Sequence, residues 1–109
     1  MATGRLGVSA IPAGTSGAGT VVYTVPTGAY GVFNVSVTNR NTTAITVRIA
    51  LAATSTPNVQ DYLEYDTQII GNGVFERTGL VAQAGLNVVV YSSAANVGCT
   101  VYGIETSTA

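Results

Sequence analysis

Two segments of the chain, residues 32–38 and 45–51, alternate apolar and polar side chains with a period of two. In the first segment, Phe33, Val35 and Val37 point to one side, because successive side chains of a strand point to opposite faces. This period indicates half-buried strands, whereas an amphipathic helix repeats its apolar residues every 3.6 positions. The chain is also rich in Thr, Val and Gly, which disfavours helices. The sequence therefore predicts an all-β fold.

Weaker strand patterns, separated by turn residues, fill most of the remaining sequence. They lie at residues 21–25, 62–70, 74–77, 86–91 and 97–104. The polar stretch 39–43 predicts a hairpin between the two alternating segments, Asn72-Gly73 predicts a tight turn, and residues 92–96 predict a terminal hairpin. Seven to eight short strands with almost no helix predict a single-domain antiparallel β-sandwich. Jelly-roll and Ig-like topologies both stay open.

The first twenty residues differ from the rest, because five glycines crowd there together with Pro12. We expect residues 1–20 to form a Gly-rich N-terminal arm or an edge strand. Residues 21–109 are then the β-sandwich domain.

Charge is scarce: nine residues, or 8%, are charged, the net charge is -1, and Lys and His do not occur. An ordinary soluble domain carries about 25% charged residues. Four dispersed arginines cannot make the positive field that nucleic acids require, so we expect no nucleic-acid binding. Surface charge normally keeps copies of a soluble protein apart. Its scarcity favours a chain that associates with copies of itself.

The inventory of reactive side chains indicates a protein that is not an enzyme. Without His, the usual partner of a catalytic nucleophile is missing, and we expect no catalytic residue and no cofactor. Cys99 is the single cysteine and lies in an apolar run, which predicts a small core residue. No segment approaches the ~20 apolar residues of a membrane span. Residues 1–5 lack the features of a signal peptide, so we expect synthesis in the cytoplasm without processing.

Three carboxylates, Asp61, Glu64 and Asp66, lie within six residues of each other and could offer oxygen ligands to Ca²⁺. A regular strand, however, would place Glu64 and Asp66 on one face and Asp61 on the other, and no Gly-punctuated loop accompanies them. We therefore expect no metal site, and a solvated strand face whose acids pair with arginines. The candidate arginines are Arg40, Arg48 and Arg77.

Tyrosine is frequent, with six residues and no Trp in the chain, and Tyr62 and Tyr65 flank Glu64. Aromatic rings beside carboxylates are typical of sugar-binding sites, but tyrosines at a protein interface explain the pattern equally well. The candidate interface or binding residues are Tyr62, Glu64, Tyr65, Asp66, Arg40 and Arg77.

Six short blocks of sequence, taken in order, carry a resemblance to a known group of proteins. They are YTVP at 23–26, FNVSVTNRN at 33–41, YLEYD at 62–66, NGVFERTGL at 72–80, SSAANV at 92–97 and VYGIE at 101–105. As an ordered series they resemble small virion structural proteins of tailed phages, particularly phages of cyanobacteria and other aquatic bacteria. The resemblance spans about residues 21–105, carries over no catalytic residue, and implies a place in the virion.

Within the virion, we expect a capsid decoration, or cement, protein on the exterior. Its partners would be copies of itself, with a trimer favoured, and the major capsid protein. The short single domain favours this station, because fibre proteins usually carry long repeats. The alternative is a tail, baseplate or fibre-associated β-sandwich module, in which the residues around 62–66 would bind a host glycan.

Overall fold

The computed structural model describes residues 3–14 and 19–108, which form eight strands and one short 3-10 helix. The strands are β1 (Thr3–Ile11), β2 (Thr20–Thr24), β3 (Ala29–Asn39), β4 (Ile45–Ala52), β5 (Tyr62–Ile69), β6 (Val74–Ala82), β7 (Asn87–Ser92) and β8 (Val97–Ser107). The 3-10 helix, Val59–Asp61, immediately precedes β5. The all-β prediction is confirmed.

The strands form two four-stranded antiparallel sheets. Sheet A has the order β1-β8-β3-β6, and sheet B has the order β2-β7-β4-β5. The hydrogen-bonded pairs are nested, since β1 pairs with β8, β2 with β7, β3 with β6 and β4 with β5. This nesting results when one long antiparallel ribbon is rolled around a core, and it is the arrangement of an eight-stranded jelly roll. The predicted β-sandwich is confirmed, and its topology is the jelly roll.

The prediction of hairpins at residues 39–43 and 92–96 is wrong. β3 and β4 lie in different sheets, and so do β7 and β8. Among the described strands, β4 and β5 are the one consecutive pair that shares a sheet. The turn residues do reverse the chain, but each reversal carries it across to the other sheet. Alternation shows that one face of a strand is buried, and it does not say which strand lies beside it.

The inward faces of both sheets meet in one apolar core. Its members with at most 1% of their surface exposed include Phe33, Val35, Val37, Val47, Ile49, Val88, Val90 and Val101. The faces predicted from the two alternating segments are thus the buried ones. Cys99 is also 1% exposed, and burial raises the pKa of its thiol to about 12. This confirms the prediction that Cys99 is a core residue.

The sheets approach each other closely where β1 meets β2. A side chain at Gly7 would place its Cβ 2.2 Å from the carbonyl oxygen of Val22, so only glycine fits there. Nearby, the hydroxyl of Tyr23 in β2 donates a hydrogen bond of 2.7 Å to Oε2 of Glu105 in β8. Burial and this bond raise the pKa of Tyr23. The glycine-rich segment contributes the edge strand β1 to the sandwich, and residues 1–2 and 15–18 of the expected arm lie outside the described residues.

All four edge strands interrupt their regular pairing. The register shifts in the pairs β1–β8, β2–β7, β3–β6 and β4–β5, and in each case the edge strand carries the extra residue. The central pairs β3–β8 and β4–β7 keep an unbroken register. Bulges twist an edge away from the flat template that another chain would pair with. The jelly roll is therefore poorly suited to associate through its sheet edges.

A buried amide ties loops together at one end of the sandwich. Asn39 is fully buried, and its Nδ2 lies 3.0 Å from the carbonyl oxygens of Thr43 and Ile70 and 3.2 Å from that of Ile69. Its Oδ1 accepts a hydrogen bond of 2.9 Å from the backbone N–H of Asn41. The end of β3, the β3–β4 loop and the end of β5 are thus joined by one side chain.

We predict that Asn39→Leu lowers the free energy of unfolding by about 3 kcal/mol, because it keeps the volume but leaves buried carbonyl groups without a donor. Urea unfolding followed by circular dichroism measures the loss. Gln83→Ala, at an exposed loop residue, is the control and should change stability by less than about 0.5 kcal/mol. Equal stability of the two variants would contradict the role assigned to this amide.

Candidate functional site

A β-bulge at the edge of sheet B positions the central residues of the candidate site. The two neighbours of Arg48 in β4 pair with residues that are three apart in β5, so Tyr65 and Asp66 together face Arg48. Asp66 has a φ of 54°, a left-handed conformation that Asp adopts more readily than most residues. Bulges of this kind re-aim side chains. Here the bulge turns Tyr65 and Asp66 toward the same arginine.

Arg48 lies between two tyrosine rings and is paired with Asp66. Its Nε lies 2.7 Å from Oδ1 of Asp66, and its Nη2 lies 3.3 Å from Oδ2. The guanidinium carbon lies 4.1 Å from the ring centre of Tyr65 and 4.7 Å from that of Tyr91. The hydrogen bond to Asp66 raises the pKa of Arg48 above its ordinary value. Two cation–π contacts and a bidentate ion pair thus hold the side chain of Arg48.

Tyr62 extends this group along the outer face of sheet B. Its ring meets that of Tyr65 edge-on, with centres 5.0 Å apart and planes at 85°. Tyr62 also packs on Ala50, Ala52 and Val89, each at most 3% exposed. The outer face of sheet B is therefore partly covered, while the Tyr65 ring remains 59% exposed. We call Tyr62, Tyr65, Asp66, Arg48 and Tyr91 the tyrosine–arginine cluster.

Residues 12–14, which follow β1, lie beside Tyr91. Gly14 donates a backbone hydrogen bond of 2.8 Å to the carbonyl of Ser92. A Cβ on Gly14 would lie 2.2 Å from the Tyr91 ring, so glycine allows the backbone at this position to lie close to the ring. A cleft of about 150 Å³ lies here, between residues 11–14, residues 19–20 and the β7 residues Val90 and Tyr91.

Glu64 and Arg77, two of the residues predicted from the sequence, form a separate contact. Oε2 of Glu64 lies 2.6 Å from Nη1 of Arg77, and Thr67 donates a hydrogen bond of 2.9 Å to Oε1 of Glu64. Because β5 and β6 are edge strands of different sheets, this ion pair closes the sandwich on that side. The expectation that Glu64 and Asp66 share a strand face is wrong, since the bulge adds a residue to the strand and breaks its alternation.

The remaining predicted residues lie apart from the cluster. Arg40 is exposed in the β3–β4 loop, where its backbone N–H donates 3.0 Å to the carbonyl of Asn96. The carboxylate of Asp61 accepts a hydrogen bond of 2.8 Å from the backbone N–H of Asn58. Within residues 3–14 and 19–108, no three His, Cys, Asp or Glu side chains converge in a way that could hold a metal ion.

A second surface, on the outer face of sheet A, was not among the predicted sites. Ile104 in β8 pairs with Val32 in β3, and Val32 pairs with Val81 in β6. These side chains are 45%, 37% and 63% exposed, and Tyr30, two residues before Val32, is 37% exposed. We call Tyr30, Val32, Val81 and Ile104 the sheet A patch. It is a continuous apolar strip across three strands.

Comparison of the chain with protein-family models, with curated proteins and with solved structures gives no match. None of the helical segments in the described part of the chain is long and apolar enough to cross a membrane. A functional interpretation therefore depends on the geometry of the two surfaces and on the sequence.

We predict that Arg48→Met lowers the free energy of unfolding by about 1–2 kcal/mol, because it removes the ion pair and both ring contacts. Asp66→Asn keeps a residue that tolerates the positive φ and removes only the charge. A double-mutant cycle of the two substitutions should give a coupling of about 0.5–1 kcal/mol.

Arg40→Met is the matched control for this cycle, because Arg40 is exposed and lies in a loop. It should change stability by less than about 0.5 kcal/mol. If Arg48→Met proves as neutral as this control, the cluster does not hold Arg48 in solution.

Proposed function

We propose that this chain is a non-enzymatic structural protein of a tailed-phage virion, specifically a capsid decoration (cement) protein. In this role it associates with copies of itself and binds the outer surface of the major capsid protein shell. The observation that carries the proposal is the sheet A patch, an apolar strip on an otherwise regular sheet face. Contiguous exposed apolar surface of this kind marks interaction sites.

The charge distribution supports burial of this face in an assembly. In the described strands of sheet A, the register places only Arg5 and Glu76 as charged residues on the outer face. Burying a charge requires the removal of its hydration, which costs several kcal/mol unless the charge is paired. A face with two charges of opposite sign can be covered without burying many unpaired ions.

The bulges of the edge strands support association of copies through the faces of the sheets and not through their edges. Every edge strand is bulged, which disfavours the open-ended edge pairing that leads to fibres. Face-to-face contact instead gives assemblies of defined size, as a shell component requires. The jelly roll also recurs in viral capsid proteins, which is an argument from analogy of fold. The sequence blocks that resemble phage virion proteins favour a place in the virion.

A structural role also fits the state of the reactive side chains. The Cys99 thiol is buried and has a pKa raised to about 12, so it is protonated at neutral pH and does not act as a nucleophile. The Glu64 carboxylate is held by Arg77 and Thr67 at the seam between the sheets. Both side chains therefore have structural roles.

We predict that the protein co-sediments saturably with expanded capsids of the phage that encodes it, and that Val81→Asp weakens this binding at least about tenfold. Val81 is 63% exposed, so the substitution should leave the fold intact. Val59→Asp is the matched control, because Val59 is 92% exposed and lies outside sheet A. Capsid binding that Val81→Asp leaves unchanged would show that the sheet A patch contributes to this binding neither directly nor through self-association.

The location of the protein in a virion density map tests the station directly. Copies distributed over the whole capsid exterior agree with decoration. Six or twelve copies at one vertex would instead assign the protein to the tail or baseplate.

We propose glycan binding as a second candidate function, and the tyrosine–arginine cluster is the observation that favours it. The exposed ring of Tyr65 offers a surface on which a sugar ring can stack, and Asp66, whose side chain is 45% exposed, offers hydrogen-bond acceptors beside it. Because Asp66 is paired with Arg48, the cluster is close to neutral. Neutral sugars suit it better than acidic ones.

We predict for this second candidate that a glycan array detects binding and that Tyr65→Ala abolishes the signal. Tyr30→Ala is the matched control, since Tyr30 is a partly exposed tyrosine on the other sheet. An array without signal, or equal binding by both variants, would remove glycan binding as a candidate.

A further inference from the structure

We infer that the sheet A patch is covered by the same patch of a second copy of this chain, in a two-fold symmetric, face-to-face dimer. The inference deepens the proposed function, because it names the partner that covers the apolar strip.

Three rows of residues cross the middle of the outer face of sheet A, read across β1, β8, β3 and β6. The strand register defines them as Val8–Thr100–Ser36–Glu76, Arg5–Tyr102–Asn34, and Thr3–Ile104–Val32–Val81. The third row is the apolar strip. Arg5 lies on the edge strand β1, and Glu76 lies on the opposite edge strand β6, in the neighbouring row.

The positions of these two charges are complementary under a two-fold rotation. The proposed two-fold axis lies between the two stacked sheets, runs parallel to the strands and passes midway between β8 and β3. Rotation about this axis places β1 of each copy over β6 of the other copy. Arg5 then faces the edge that carries Glu76 of the second copy, and the reverse contact forms at the other edge. A two-fold interface is made of the same patch twice, so each such contact occurs in duplicate.

The same rotation matches the centre of the apolar strip to itself and places Val81, at its end, over Thr3 of the second copy. Val32 and Ile104 are adjacent partners on either side of the proposed axis, so the rotation places Val32 over Ile104 of the second copy and Ile104 over its Val32. Sheets stack about 10 Å apart with their strands within roughly 30° of each other, which this arrangement allows. The rows that contain Thr100 and Ser36, and Tyr102 and Asn34, lie on one side of the strip and form the rim of the contact.

The face is large enough for a stable contact. Four strands spaced about 4.8 Å apart and carrying about ten residues of 3.3 Å each give a flat area on the order of 600 Å². Side chains raise the accessible area above this value, toward the ~800 Å² that each partner contributes to a standard interface. A second copy therefore suffices to cover the face.

Two other surfaces are less suited to self-association. The edge strands are bulged, and Tyr62 already covers part of the outer face of sheet B. The Glu76 carboxylate is also oriented within sheet A, because it accepts a hydrogen bond from the hydroxyl of Tyr102. An oriented carboxylate at the rim favours one relative position of the two copies.

The test is the solution mass of the full chain, measured by analytical ultracentrifugation at low ionic strength. We expect twice the chain mass of 11.0 kDa. Arg5→Glu and Glu76→Arg should each weaken the dimer about tenfold, because each introduces two like-charge contacts. The double variant that carries both substitutions should associate as the parent does, and an equal mixture of the two single variants should form mixed dimers.

Arg40→Glu is the matched control, since it reverses an exposed arginine that lies outside sheet A, and it should leave the dimer unchanged. Circular dichroism verifies that each variant is folded. A monomer at all concentrations, a trimer, or a double variant that does not regain association would overturn the inference.

The outcomes for the dimer and for the proposed function are distinguishable. A monomer that still binds capsids through Val81 would overturn the dimer and leave the decoration role in place. A dimer that binds no capsid would support this inference and count against the decoration role.

Discussion

The buried amide of Asn39 is the interaction on which the rest of the sandwich depends. In a jelly roll nearly every connection passes between sheets, so loops at one end must hold the two sheets in register. Asn39 binds the β3–β4 loop and the end of β5. Asn41 continues this contact, since its Nδ2 donates 2.8 Å to the carbonyl of Ala95 in the β7–β8 loop. The polar side chain of Asn39 is stabilising in the core because its hydrogen-bonding groups have partners.

The bulge in β5 has consequences on both faces of sheet B. It interrupts the alternation of the strand, so that Asp66 pairs with Arg48 on the outer face, whereas Glu64 pairs with Arg77 at the seam. The seam pair closes the sandwich, and the outer pair positions the exposed ring of Tyr65. The bulged part of β5 therefore protects an edge, closes the core and builds the candidate binding surface.

The buried faces could be predicted from the sequence because alternation is a local property, and Phe33, Val35 and Val37 lie in the core as expected. Strand partners could not, because pairing such as that of β3 with β8 joins distant segments. Tyr62, Tyr65 and Asp66 were predicted together from their proximity along the chain. Their contact with Arg48 and Tyr91 depends on sheet register and on a bulge. The apolar strip was missed because Val32, Val81 and Ile104 come from three separate strands.

Most of the few charged residues have partners within the sandwich. Of the nine charged residues, Arg48, Asp66, Arg77 and Glu64 are used in two ion pairs, and Glu105 accepts a hydrogen bond from Tyr23 between the sheets. The outer face of sheet A retains two charges of opposite sign at opposite edges. Charges at a rim contribute more to orientation and rate of association than to affinity. The apolar strip would thus provide the binding energy of a contact, and the two charges would determine how the copies align.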